Sequence, residues 1–409
     1  MLPAIKEDIL AVLDRAIDAL SSQDFMSLSE LSNHTIHDAS IYQEDDPLTL
    51  AVLMYALSKI IQRSVEQGQT PPTPLAALKR ARDALSEDDD NSYRAAIKQL
   101  LRTIVTQDSQ LKLYIQDVIQ KAKIKKASKM HEHGISVART AELLGISQWE
   151  LQDYIGQTTR EGFTDERALK RLSSARIAVK DSTIVFDTGP IISLTVTNLL
   201  WILEEFKMKF GTSFALPIGV KHELVDKPLE TRRFKFEAIQ VQRLLERNIF
   251  SLVPEENIRG RALELLRLAN SLLSFKGKPI QIVQQGEMET LACAIEYRAS
   301  AVVIDERITR LLIENPLGLK NLMEKRLHMS LYLDMRVLKK LKEELSNLIV
   351  FRSIELVTIS FEVGILDPLI VHIPHAKREL LESVLWGVKL AGCSVGEDEI
   401  NMIVKKFAA

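Results

Sequence analysis

The feature that most constrains this chain is a change of period near residue 181. Beyond it the short runs TIVFD, FALP, FSLV, IQIV and AVVID recur, each separated from the next by a helical pattern. Runs this short suit strands rather than helices, and strands that alternate with helices are joined by crossovers, which makes them parallel. The fold class expected is therefore α/β, a parallel sheet flanked by helices. Upstream the pattern differs: IKEDILAVLDRAIDAL and DPLTLAVLMYALSKIIQRS place apolar residues at three and four spacing, the mark of amphipathic helices. The α/β part thus follows an all-α N-terminal region.

At 409 residues the chain exceeds one ordinary core. Five stretches are expected. Residues 1–126 form a helical bundle of unassigned role, punctuated by the PPTP segment and the acidic loop Glu87–Asp90. Residues 127–157 form a helix-turn-helix-like segment, 158–180 a charged linker and 181–366 the α/β domain, with a basic helical insertion at 316–346 and a last strand at Leu348–Phe351. Residues 367–409 add a C-terminal helical extension, a pair formed by SVLWGVKLAGCSVGEDEINMIVKKF.

Charge and cysteine content exclude several classes. A formal net charge of −2 gives no global attraction for nucleic acid, so a polyphosphate partner needs local basic patches or bound cations. Cys293 and Cys393 are too few for a disulfide framework, lack the paired spacing of a zinc site and read as buried thiols. Apolar stretches such as Ala51–Leu57 fall short of the ~20 residues of a membrane span, and MLPAIKEDIL is acidic where a secretory signal starts basic. The expected location is the cytoplasm, with no membrane partner.

Five lysines between Lys121 and Lys129 lead into HGISVARTAELLGISQWELQDYIG. There Val137, Ala141 and Leu144 share a helical face, Gly145 supplies a turn, and Ile146, Leu151 and Ile155 continue the apolar stripe, as in a helix-turn-helix. In a DNA-binding unit, helix Gln148–Ile155 enters the major groove. It offers Gln148, Trp149, Gln152 and Asp153 and no arginine, so 128–157 reads either as a DNA contact or as a packing module that joins two copies into a homodimer.

The chemistry lies where acids meet the strands. Asp187 ends the first strand in TIVFD and Asp305 a later one in AVVID, which puts both at the carboxyl edge of a parallel sheet, where such folds bind ligands. Glu223 follows the second strand in PIGVKHELVD, and Glu289 opens the helix in QQGEMETLACAIEYRAS. Four acids delivered to one edge repel one another unless a cation intervenes, and Mg²⁺ or Mn²⁺ is the natural partner of carboxylate oxygens.

At these residues the chain resembles the PIN-domain nuclease family over roughly residues 181–366. The resemblance rests on Val185-Phe186-Asp187-Thr188, on Leu216-Pro217-Ile218 with Glu223-Leu224, on Gly286-Glu287-Met288-Glu289-Thr290-Leu291-Ala292, and on Val303-Ile304-Asp305 followed by Glu306-Arg307. It implies a metal-dependent endoribonuclease that hydrolyses phosphodiesters, in RNA before DNA, with Mg²⁺ or Mn²⁺ at Asp187, Glu223, Glu289 and Asp305 and no organic cofactor. Glu287 and Glu289 are two apart and cannot share a helix face. Glu289 is matched to the family's acid, while Glu287 favours the helix N-terminus.

Asp226, Glu230 and His222 read as surface residues. Arg232, Arg233, Lys235, Arg336, Lys339, Lys340 and Lys342 are either phosphate contacts or solvated helix faces. Two other functions stay open: a nucleic-acid-binding regulator that uses the helix-turn-helix with the α/β fold as platform, and the toxin of a toxin–antitoxin pair.

Overall fold

The computed structural model describes residues 1, 3–68, 74–106, 112–158 and 168–408, and the chain divides into two units. Most of the PPTP segment and residues 159–167 of the expected linker lie outside the described residues.

The first unit comprises residues 1–135 and 140–146. Its helices are Pro3–Ser21, Met26–Tyr42, Asp45–Glu66, Leu75–Ser86, Asp90–Thr106 and Lys112–Glu132. Ile5, Ile9, Leu13 and Leu20 of the first helix meet Leu50, Leu53, Leu57 and Ile61 of the third in one core, the outcome the apolar spacing predicts. Helix Asp45–Glu66 is long and apolar enough, by length and composition alone, to cross a membrane. Since 61% of its apolar window is buried inside the protein, core packing accounts for its composition. The lysine run is not a uniform basic face. Lys121 pairs with Asp117 and Lys129 with Glu132, whereas Lys126 is buried, donates to Asn33 Oδ1 at 3.0 Å, and is pushed down to about 7 by burial and by Lys125 and Lys129.

The second unit comprises residues 136–139 and 147–409. Its strands are β1 (Thr183–Phe186), β2 (Ser213–Pro217), β3 (Phe250–Val253), β4 (Leu273–Phe275), β5 (Lys278–Pro279), β6 (Ala301–Val303), β7 (Tyr332–Leu333) and β8 (Ile349–Phe351). Five of them form a parallel sheet in the order β3-β2-β1-β6-β8, with Ile184 beside Phe214 on one side and Ala301 on the other. Chain order reverses between β1 and β6, so the crevice beyond their carboxyl ends is the switch point where such sheets bind ligands. Phe186 meets Phe214 and Phe250 edge to face, and Phe214 and Phe250 lie tilted to one another, in a cluster across three neighbouring strands.

Three expectations need correction. IQIV is extended but joins no ladder, because Asn270 Oδ1 accepts from the Ile282 and Val283 amides at 2.7 and 3.0 Å and takes the place of a neighbouring strand. The insertion at 316–346 is not wholly helical: between helices Pro316–Leu327 and Met335–Leu345 lies β7, which joins β4 and β5 in a small antiparallel sheet. In the expected linker, Ala168–Ala178 is a helix whose Leu172 and Ala175 belong to the core of the α/β unit.

Helices Val137–Leu144 and Gln148–Thr158 flank a turn at Gly145, which has φ +58°, as the sequence suggests. The second helix, however, has its groove-reading side chains turned into the α/β unit. Trp149 is buried and stacks on Phe234 at 5.5 Å between centroids, Gln152 Nε2 donates to Gly189 O at 2.9 Å, and Glu150 pairs with Arg233.

Candidate active site

Asp187 leaves β1 at its carboxyl end and occupies the N-cap position of helix Thr188–Val196. Its amide donates to Val303 O at 3.1 Å and carries the β1–β6 pairing one residue past the strand, which fixes the backbone. Burial, followed by the Glu223 charge, pushes its carboxyl up to about 7. An acid in such surroundings holds a proton at neutral pH unless a cation replaces it.

Glu223 projects from the π-helical turn His222–Asp226. Thr188 Oγ1 and Gln148 Nε2 both donate to its Oε2, each at 2.8 Å. The small hydroxyl after Asp187 thus serves to orient the second acid. Burial raises Glu223 too; the two donors and Lys227 pull it down, and Glu289 pushes it up.

Glu289 is the acid whose charge is felt by Glu223. Its Oε2 lies over Gly219, where a Cβ would come within 2.1 Å, and its Oε1 accepts from Gln285 Nε2 at 2.7 Å. Burial raises it, and the charge it feels is that of Glu255 rather than Asp187.

Asp305 is buried beneath the edge, its oxygens filled by donors. Ser353 N and Oγ donate to Oδ1 at 2.7 and 2.8 Å, and Ser193 Oγ to Oδ2 at 2.7 Å. The expectation of four equivalent ligands therefore meets a graded arrangement: Asp187, Glu223 and Glu289 in an electrostatic chain, with Asp305 pinning the helices that follow β1 and β8.

Two further acids, Glu287 and Glu306, lie in the same field. Glu287 accepts from Gln284 N and Ser136 Oγ on Oε2, both at 2.8 Å, and from Thr309 Oγ1 on Oε1 at 2.9 Å. Burial, then Glu306 and Asp187, hold its carboxyl well above the usual range. The cap role expected of Glu287 is present, yet it is Glu287 and not Glu289 that shares a field with Asp187. Glu306 caps helix Arg307–Glu314 by accepting from Ile308 N and Thr309 N at 2.8 and 2.5 Å. Glu306 stood beside Asp305 in the sequence, and the short apolar helix after it was the available signal. The donors Gln148 and Ser136 and the exposed Lys227 had no such signal, because their relevance depends on tertiary placement.

His222 is exposed, with Nδ1 3.3 Å from Asp226 Oδ2, the surface position expected for both. Cys293 and Cys393 are buried free thiols, also as expected. Arg233 is taken by Glu150, and Lys339 pairs with Glu343.

Behind Asp305 lies a second group of buried charge. Arg352 donates through Nε to Glu355 Oε2 at 3.1 Å and through Nη1 to Glu399 Oε2 at 2.8 Å, and thereby ties helix Ser353–Glu362 to helix Glu397–Phe407. Burial raises the Glu355 carboxyl, but Arg352 outweighs it and the net shift is downward. The same guanidinium and Arg310 both donate to Ser394 O, whose amide donates to Asp305 O.

Whether this arrangement fits a divalent cation can be tested on its donors. Among the described residues no three His, Cys, Asp or Glu side chains converge closely enough to chelate an ion unaided. Mg²⁺ does not require that, since it usually keeps several waters and takes one or two carboxylates. Asp187 and Glu223 supply hard oxygens, and burial, with the Glu223 charge at Asp187 and the Glu289 charge at Glu223, raises both carboxyls. The residues fit an oxygen-seeking, partly hydrated cation.

No curated protein and no solved structure matches this chain. A family model described as "PIN domain" matches residues 183–321. This stretch holds β1, Asp187, Glu223, Glu287, Glu289, β6, Asp305 and Glu306, so the residues of the acidic edge all fall within the match to the PIN-domain family, whose fold is of nuclease type.

Proposed function

We propose that the second unit is a metal-dependent phosphodiester hydrolase acting as an endoribonuclease in the cytoplasm, with RNA favoured over DNA on the strength of the family resemblance. The observation that carries this reading is the pair of acids at the switch point: Asp187 is buried and raised by burial and by the Glu223 charge, Glu223 is half-buried and raised as well, and among the described residues no arginine pairs with either. A fold that gathers like charges without neutralising them gives up stability unless a cation completes the site.

Asp187 and Glu223 would hold Mg²⁺ or Mn²⁺, with Glu289 next to Glu223 and Asp305 beneath them. Such an ion supplies a bound water of lowered pKa and stabilises charge on the phosphate. The chain's own groups do the rest. Thr188 and Gln148 fix the direction of Glu223, and the serines on Asp305 fix the ends of the loops that carry the site. Glu287 and Glu306 add negative field that draws cations in. Lys227, exposed and within reach of Glu223's field, is placed to meet a phosphate of the substrate strand.

The test is cleavage of defined RNA and DNA by the full chain, with and without Mn²⁺, beside Asp187→Asn. Mn²⁺-dependent RNA cleavage that disappears in a folded Asp187→Asn protein is the expected result. Cleavage at undiminished rate in that variant would place the chemistry elsewhere.

A further inference from the structure

Glu223 presents its two oxygens unequally. Oε2 is filled by the Thr188 and Gln148 donors, whereas Oε1 receives no hydrogen bond among the described residues. That free oxygen faces Gly286, where a Cβ would stand 3.3 Å from Glu223 Oε1 and 3.5 Å from Gln284 Oε1. Two acceptors from different elements therefore share one small space above a residue that has no side chain.

Gln284 is unusual in its own right. It occupies the N-cap position of helix Gln285–Glu296 and turns its side chain to the Glu287 amide as half of a capping box, yet no hydrogen bond forms there, and its Oε1 is closed off from solvent without a partner. A buried acceptor without a donor is costly, and a second acceptor bordering the same space adds to the cost unless something positive stands there. An amide carbonyl is an ordinary ligand for oxygen-seeking divalent cations, and it adds no further negative charge to a crowded acidic site.

We infer that Gln284 is a cation ligand of this site, a neutral oxygen paired with Glu223 Oε1 across the space left by Gly286. The inference rests on the cation reading above and deepens it. Glu223 becomes a two-sided residue, one oxygen held by protein donors and the other given to the ion. Gly286 acquires a role too, since any side chain there would crowd both oxygens.

The experiment titrates the full chain with Mn²⁺ alone, by calorimetry, and records thermal midpoints in parallel. Gln284→Leu removes the amide oxygen at similar size and should weaken Mn²⁺ binding about tenfold, the scale typical of lost support at a metal site. Gln284→Glu should tighten it; weaker binding there would mean that the amide acts through its nitrogen and would overturn the assignment. Gly286→Ala should weaken binding while the midpoint holds or rises, because alanine favours a helix over glycine. Loss of affinity without loss of stability is what a merely structural glycine would not give. Wild-type affinity in both Gln284→Leu and Gly286→Ala, with binding lost in Asp187→Asn, overturns this inference and leaves the cation reading intact. A wild-type chain that takes up no Mn²⁺ overturns the cation reading itself, and the assignment of Gln284 with it.

Discussion

Around Arg352 two buried acids meet a guanidinium, whereas around Asp187 acids meet their own kind. Both groups lie in the α/β unit and both are shut off from water. Arg352 answers Glu355 and Glu399 in two directions and joins two helices. Asp187 answers to Glu223, and Glu287 to Glu306 and Asp187, and among the described residues no arginine pairs with Asp187 or Glu287. The first group shows that this sequence can neutralise buried acids where architecture calls for it. The second is then best understood as negative charge kept available for a ligand, not as poor packing.

The largest effect should come from breaking the neutralised group. Arg352→Met keeps much of the volume and leaves Glu355 and Glu399 buried without a cation, a defect of about 3–5 kcal/mol. Denaturant unfolding of the full chain would measure it. A loss below about 1 kcal/mol would show that packing, not this pairing, holds the C-terminal helix.

The opposite sign is expected at Asp187. Its carboxyl keeps a proton to about 7 in the folded chain but releases it near the ordinary 3.8 when unfolded, so the folded state binds more protons across that interval. Stability contributed by this group therefore falls as pH rises from about 4 to about 7 and stays low above it. Asp187→Asn should accordingly unfold at higher denaturant than the parent at pH 8, by up to about 4 kcal/mol, and match it near pH 4. Mn²⁺ should narrow the gap by stabilising only the parent. A variant less stable than the parent at pH 8 would contradict the contrast drawn here.

A smaller change sharpens the comparison. Gln148→Ala removes one donor from Glu223 and should cost about 1 kcal/mol. It should also move the Glu223 carboxyl further up, and so weaken Mn²⁺ binding more at pH 6 than at pH 8. An unchanged pH profile would mean that Thr188 alone fixes that oxygen.

Much of this was legible in the sequence. Four of the five strand-like runs, TIVFD, FALP, FSLV and AVVID, became neighbours in the parallel sheet because buried β-branched residues bounded by helices have few other uses. IQIV misled because its amides are satisfied by Asn270, a side chain twelve residues away from Ile282, and local pattern carries no trace of that bond. The order of the acids along the chain was readable. What each acid faces was not. Glu287 and Glu289 differ by two positions on one helix, and only the packing of Ser136, Thr309 and Gly219 around them decides which shares a field with Asp187. Asp305 looked equivalent to Asp187 because both end strands; the serines that fill its oxygens lie 112 and 48 residues away.

Gln148 and Gln152 lie more than thirty residues ahead of β1, yet they reach Glu223, Gly189 and Ser193. The portable piece of this protein is therefore larger than the stretch that carries its acids. A gene rearrangement that moved residues 183–321 alone into another chain would carry the carboxylates without the glutamines that aim them. Such a graft would have to supply a new helix against that edge before selection could act on its chemistry. Upstream sequence of this kind, easily read as a separate accessory, is bound to vary in step with the acidic edge it supports, and this helix and that edge should change together among descendants.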